Sequence, residues 1–197
     1  MSLSKNTHVK LHRKMDWRSN LKSGWKSKRP VLLFVGGFVL LMGLFYAVWF
    51  SEWFNSHINP KITAINAFLS SKILNLLGQG TSSGGETIFS PAFSISVARG
   101  CDGVEAMAIF AAALLSFPIP WRKKIPGVFI GIFLLFLLNL IRIVSLFLTG
   151  VYYPSLSEVM HTEVWQVVFI LAAVALWAAW IYRSTKAKGN ESKADDS

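Results

Sequence analysis

Residues 125–150 read IPGVFIGIFLLFLLNLIRIVSLFLTG, an apolar run whose single charge is Arg142. At 1.5 Å per residue it exceeds the ~30 Å hydrocarbon layer of a bilayer. Three more runs flank it. Residues 31–50 carry no charge, Gly103 to Pro120 carry only Glu105, and a fourth run extends from Glu163 to Tyr182. The second run is the shortest and ends in Pro118 and Pro120. The chain is 53% hydrophobic, with a mean hydropathy of +0.46. That is too apolar for a soluble domain of this size. The expected fold is an all-α membrane protein of about four transmembrane helices, at about 31–50, 103–120, 125–149 and 163–182.

The net charge is +10, and its distribution argues for orientation rather than for nucleic acid. Nine of the 20 Lys and Arg precede Pro30. Arg122, Lys123 and Lys124 join the second and third runs, and Arg183, Lys186, Lys188 and Lys193 follow the fourth. With four spans these regions share one side. The other side carries Lys61, Lys72 and Arg99. By the positive-inside rule both termini are cytoplasmic, and the loops 50–101 and 151–162 face outward. The first run is too long for the apolar region of a signal peptide, and Trp49, Phe50, Trp53 and Phe54 stand where small residues would be needed. It reads as a permanent anchor. Trp17, Trp25, Trp49, Trp53, Trp121 and Trp180 lie near span ends or flanking segments, and most of them fit interfacial belts.

Three segments lie outside the spans. Residues 1–29 form a basic cytoplasmic tail, mobile or a short surface helix, and residues from Thr185 to Ser197 a disordered one. Between Lys61 and Leu77, Ile62, Ile65, Phe68, Leu69, Ile73, Leu76 and Leu77 recur at helical spacing, with Thr63, Asn66, Ser70 and Asn75 elsewhere. This is an amphipathic helix, lying on the outer membrane surface or packed on the spans. Gln79 to Glu86 reads as a loop. Thr87 to Ala98 reads as extended, giving a small hairpin that leads to Cys101.

Cys101 is the only cysteine, so it forms no internal disulfide. It lies between Gly100 and Asp102-Gly103, at the polar-to-apolar boundary that opens the second run. Glu105 follows one helical turn deeper, as an orienter of the site or a partner of the helix N-terminus. Arg142 costs roughly 2.5–3.5 kcal/mol at a helix centre, so such residues face a protein interior or a polar cavity. It precedes the end of its run by about eight residues, or ~12 Å. Asn139 and Ser145 form a polar stripe with it. Snorkelling alone would account for the Arg but not for the stripe. His161 precedes the fourth run, between Glu158 and Glu163. Of four histidines, it and His57 share the side of Cys101.

These residues divide into chemical roles. A cysteine nucleophile acts as a thiolate, helped by a base or a cation. His161 supplies the base and later protonates the leaving amine. Arg142 stabilises the thiolate or the developing oxyanion. One Cys with one His does not make a structural zinc site, and no cofactor is expected.

The segments resemble the exosortase family of multi-pass membrane transpeptidases, which is related to the archaeosortases. The likeness rests on Gly100-Cys101-Asp102-Gly103-Val104-Glu105-Ala106, on Asn139-Leu140-Ile141-Arg142-Ile143, and on His161 ahead of Trp165-Gln166. It covers roughly residues 60–182. Archaeosortases tend to carry Arg where His161 stands, so the likeness favours the bacterial branch. The compact length is most like the subgroup called exosortase H, assigned to proteins with an IPTL-type tail. The resemblance implies an inner-membrane thiol protease or transpeptidase with Cys101, Arg142 and His161 as its catalytic set, and Asp102, Glu105 and Asn139 around them. It implies secreted substrate proteins bearing a short C-terminal motif, a transmembrane helix and a basic cluster. Such enzymes cleave near the motif and transfer the new carboxyl end to an acceptor. Two other readings compete. One is a membrane scaffold, in which Arg142 and Glu105 form a structural pair and Cys101 is inert. The other is a small transporter, which the absence of paired broken helices disfavours.

Overall fold

The structure, a computed structural model, describes residues 17–194. Helix α4 (Trp121–Tyr152) is its axis. Of its most apolar stretch 44% is buried, against 6% for α1 (Trp17–Trp49) and 11% for α6 (Trp165–Ala194). These three helices are long and apolar enough to cross a membrane, over Lys28–Trp49, Trp121–Tyr152 and Trp165–Lys186. The chain is a helical membrane protein. Their outward faces, with Val39, Phe129 and Leu171 exposed, are those of a lipid-facing bundle.

The second apolar run makes a shorter element than its 18 residues promised. Helix α3 (Val104–Ser116) has 13 residues, ~20 Å at 1.5 Å each. Pro118 and Pro120 end it, because each lacks an N–H and forces the preceding residue out of helical geometry. Phe117 is accordingly extended, at φ −71° and ψ 140°. The Lys124 ammonium donates to the Leu115 carbonyl and so satisfies one of the orphan acceptors at this helix end. Lys124 is therefore a buried capping group rather than a solvated link residue. Helix α3 packs between α1 and α4. It approaches α4 at Gly131, where a Cβ would meet the Phe110 ring at 2.0 Å.

Helix α4 is ~48 Å long, well beyond a hydrocarbon layer. Toward its C-terminal end Ile143, Val144 and Phe147 form a core with Ala67 and Leu74 of α2 (Asn59–Leu76) and with Ile88 and Val97. Arg142 precedes the end of the helix by ten residues, ~15 Å along the axis. The helix continues beyond it into a cap made of α2 and a three-stranded antiparallel sheet. The sheet runs β1 (Ser82–Gly84), β2 (Thr87–Phe89), β3 (Ser94–Ser96), in that order. Ile88 pairs with Ile95 and Thr87 with Ser96. Strand β1 falls in the segment read as loop, and it extends the expected hairpin by one strand.

Helix α2 is amphipathic, but its buried side is the polar one. Thr63, Asn66, Ala67, Ser70, Ser71 and Leu74 face inward. Ile65, Phe68, Leu76 and Leu77 are exposed. Small side chains let α2 approach α4 closely, and the apolar stripe is left outside, as on a lipid-facing helix.

Both expected tails differ from expectation within the described residues. The basic stretch from Trp17 is continuous with α1, which contains Pro30, and α6 continues to Ala194 beyond Thr185. Each is propagated from an already nucleated helix through Lys- and Ala-containing sequence. Residues 1–16 and 195–197 lie outside the described residues. Trp49 is buried against Phe45 and Phe54, and Trp180 donates through Nε1 to the Lys123 carbonyl at 3.0 Å.

Candidate active site

The turn before α3 is set by two glycines in left-handed geometry, Gly100 at φ +90° and Gly103 at φ +75°. Between them, Cys101 donates its N–H to the Ala98 carbonyl at 2.9 Å. Asp102 is fully buried, and its Oδ1 accepts the Val104 N–H at 3.1 Å, an Asx-turn bond across Gly103 that leads into α3. A Cβ on Gly103 would stand 2.9 Å from Cγ of Asn139. The Cys101 turn therefore rests directly on α4. Because the helix begins only at Val104, Cys101 and Glu105 do not share a helix face as expected. Glu105 instead accepts a hydrogen bond from the Tyr46 hydroxyl on α1.

Arg142 and His161 both reach the sulfur. Nη2 of Arg142 lies 3.7 Å from Cys101 Sγ, and His161 Nε2 lies 3.4 Å from it. His161 Nδ1 is farther, at 3.9 Å. The Arg142 guanidinium is buried and stands 5.5 Å over the Phe169 ring. His161 belongs not to a loop but to a π-helical turn, Met160–Val164, that leads into α6. Such wide turns offset a side chain from the regular helix face and recur at functional sites. Asn139 donates to Asn66 Oδ1 at 3.1 Å, and Asn66 donates to the Ile62 carbonyl at 3.0 Å. The polar stripe of α4 is thus split. Asn139 and Arg142 support the site, while Ser145 Oγ turns back to the Arg142 carbonyl at 2.8 Å.

The electrostatics favour a neutral resting pair. Burial pushes the Cys101 thiol above its ordinary range, the Arg142 charge pulls it down, and Asp102 pushes it up again. Burial and then Arg142 lower the affinity of His161 for a proton. Burial also raises the Asp102 carboxyl, against the helix-start N–H groups that lower it. The two shifts together favour a neutral thiol beside a neutral imidazole.

Cys101 and His161 line two cavities. One, about 250 Å³, lies under the sheet between β3 and α4 and includes Ile95, Ser96, Leu146 and Ser157. The other, about 550 Å³, lies between α3 and α6, with Glu105 and Gln166 at one part and Ile109, Phe169 and Ile170 at another. The sulfur is therefore approachable from both the cap and the helices.

The family model described as Transmembrane exosortase (Exosortase_EpsH) matches residues 24–179. The chain belongs to the transmembrane exosortase family. No curated protein and no solved structure matches it. In this exosortase three side chains that contact Glu105, Asn139 or Arg142 escape sequence reading. Tyr46 and Phe169 look like ordinary aromatic residues of apolar runs. Asn66 lies 73 positions from its partner Asn139. Its one visible sign is its place on the polar side of α2.

Proposed function

We propose that this exosortase is a cysteine peptidase or transpeptidase that removes the C-terminal sorting tail of secreted proteins. The observation that carries this reading is the position of Cys101 Sγ between His161 Nε2, 3.4 Å away, and Arg142 Nη2, 3.7 Å away. The thiol proton passes to His161 as sulfur attacks the scissile carbonyl. Arg142 holds the developing oxyanion in a partly dry site, where its charge is strongest. The tetrahedral species collapses, the C–N bond breaks, and His161 returns the proton to the leaving amine. The acyl chain remains on Cys101 as a thioester. Water or an acceptor amine then attacks it, giving up a proton to His161 and releasing the sulfur. Hydrolysis yields a carboxylate, and transfer yields a new amide.

The same proposal includes orientation. Arg122, Lys123 and Arg183 gather about one cavity at the end of the bundle remote from Cys101, and Lys123 Nζ donates to the Ser184 carbonyl at 3.1 Å. That basic end is cytoplasmic by the positive-inside rule, so the site and the cap face the outer side of the inner membrane. The alternative of an inert scaffold draws less support. Its Arg142–Glu105 pair is replaced by a Tyr46–Glu105 bond, and Cys101 is only half-buried beside two cavities.

Co-expression with a secreted reporter tests this reading. The reporter ends in an IPTL-type motif, a transmembrane helix and a basic cluster. The wild type removes the tail and Cys101→Ala does not; equal removal by both would end the assignment of Cys101 as nucleophile.

A further inference from the structure

Among the described residues no strand pairs with the outer edge of β3, which lies beside Cys101. The ladder shows which of its groups are unpaired. Val97 donates to the Glu86 carbonyl at 2.8 Å and Ser90 to the Phe93 carbonyl at 2.9 Å. Hydrogen-bonded pairs alternate along an antiparallel ladder, so Ile95 is the residue bonded to Ile88 between them. The backbone groups of Ser94 and Ser96 therefore point away from β2. The Ser96 carbonyl is engaged by the Ala98 N–H at 3.1 Å. Both N–H groups and the Ser94 carbonyl point outward along the open edge. The opposite edge of the sheet, β1, packs against α2.

That open edge borders the smaller cavity. Ile95 and Val97 project to one face of the strand and Ser96 to the other. A cavity lined by all three, as this one is, wraps around a strand edge, and the β2 side is closed. The same cavity holds Cys101 and His161, and Ile143 and Leu146 form its apolar wall. Four residues lie between Ser96 and Cys101, so the edge is fixed in register relative to the sulfur. An edge strand with alternate backbone groups free and an apolar pocket beneath is the geometry of strand addition.

We propose that β3 binds the substrate polypeptide as an added strand, with the segment on the acyl side of the scissile bond extended along Ser94–Ser96. This rests on the reading of Cys101 as nucleophile and specifies how the substrate is held. The assignment of sides follows from the two cavities. The cleft between α3 and α6, with Ile109, Phe169 and Ile170, suits the apolar, membrane-borne half of the substrate. The cavity under the sheet takes the half that precedes it. Main-chain pairing contributes affinity with little demand on sequence. Alternate side chains enter the pocket walled by Ile143 and Leu146, which selects apolar residues at every second position.

The test uses the purified full-length chain in lipid nanodiscs and apolar tetrapeptidyl chloromethyl ketones. Sulfur displaces chloride and forms the C–S bond, while the thiol proton goes to His161. Cys101 is the only cysteine, so intact mass reports its labelling directly. The peptides are then N-methylated singly at each amide. Methylation at every second amide slows labelling at least ten-fold, and methylation at the intervening amides leaves it within about two-fold. Ser96→Pro, which removes an outward N–H and spares the ladder to β2, abolishes that alternation. Labelling no faster than by chloroacetamide, or equally sensitive at every amide, would overturn the added strand. Reporter processing that depends on Cys101 but comes without alternation keeps the peptidase reading and removes the strand. Alternation without processing does the reverse.

Discussion

The guanidinium of Arg142 meets the sulfur of Cys101 from a different helix, with Nη2 3.7 Å from Sγ. The contact joins the C-terminal half of the long helix α4 to the turn that opens α3. It places a fixed cation where negative charge would develop on the sulfur or on a carbonyl oxygen under attack. A guanidinium that meets the sulfur and also stands over the Phe169 ring is both charged and oriented.

Arg142→Lys keeps the charge and loses the planar fork and the ring contact. Removal of one oxyanion donor typically costs about 10²–10³ in rate. Reporter processing by the Lys variant should fall by about 10²-fold while the level of protein in the membrane stays unchanged. Near-normal processing would mean that a point charge suffices.

The pH dependence follows from His161. Its proton affinity is lowered from the ordinary value of 6.5 by burial and by Arg142. As a base it works when neutral, so activity is lost only when pH falls through that lowered value. The acid limb of the processing rate should have its midpoint below pH 6.5. The raised thiol of Cys101 adds no loss on this limb, because the neutral thiol is the resting form. A midpoint at or above 6.5, read from initial rates across a buffer series, would count against a neutral imidazole base.

Asp102 acts through its Oδ1, which accepts the Val104 N–H in the turn before α3. Asp102→Asn retains that acceptor and should retain most processing. Asp102→Ala leaves the N–H without its side-chain partner, at a cost of about 0.5–1.5 kcal/mol. The expected readout is a lower thermal midpoint for Ala than for Asn in the same detergent, with slower processing in parallel.

Gly103→Ala is a sharper perturbation. The residue sits at φ +75°, and its new Cβ would stand 2.9 Å from Asn139 Cγ. Left-handed backbone on a non-glycine costs about 1–3 kcal/mol, before the clash is counted. The turn should shift off α4. Maleimide labelling of Cys101 should change several-fold, and processing should fall more than ten-fold.

Asn66 and Asn139 should behave as a coupled pair. Each single Ala variant leaves a buried polar group unpaired, at about 1–3 kcal/mol. The double variant removes both and should cost less than the sum of the singles. Thermal midpoints of the four proteins give the comparison.

Residues 101, 142 and 161 are legible in the sequence because each breaks the pattern around it. Cys101 is unique, Arg142 is the one charge in 26 apolar residues, and His161 stands at the entry to an apolar run. Their convergence follows from topology, since the starts of α3 and α6 meet α4 at the same level. Other features are hidden for physical reasons. Periodicity defines the two faces of α2 but not which is buried, because lipid rewards an outward apolar stripe as water does an inward one. The shortness of α3 is visible in Pro118 and Pro120. The extension of α4 into the cap is not, because an apolar run of that length looks the same in lipid and in a protein core. Asn66 and Tyr46 come to the site through long-range packing that a local pattern does not encode.

The central claim is that Cys101 carries the substrate acyl group as a thioester. Hydroxylamine added to a processing reaction tests it most directly, because it intercepts thioesters and leaves a hydroxamate at the new C-terminus. The account predicts a reporter that loses its tail and gains a C-terminal hydroxamate with the wild type, and remains whole with Cys101→Ala. A tail removed without any hydroxamate at saturating hydroxylamine, or a hydroxamate formed equally by Cys101→Ala, would contradict it.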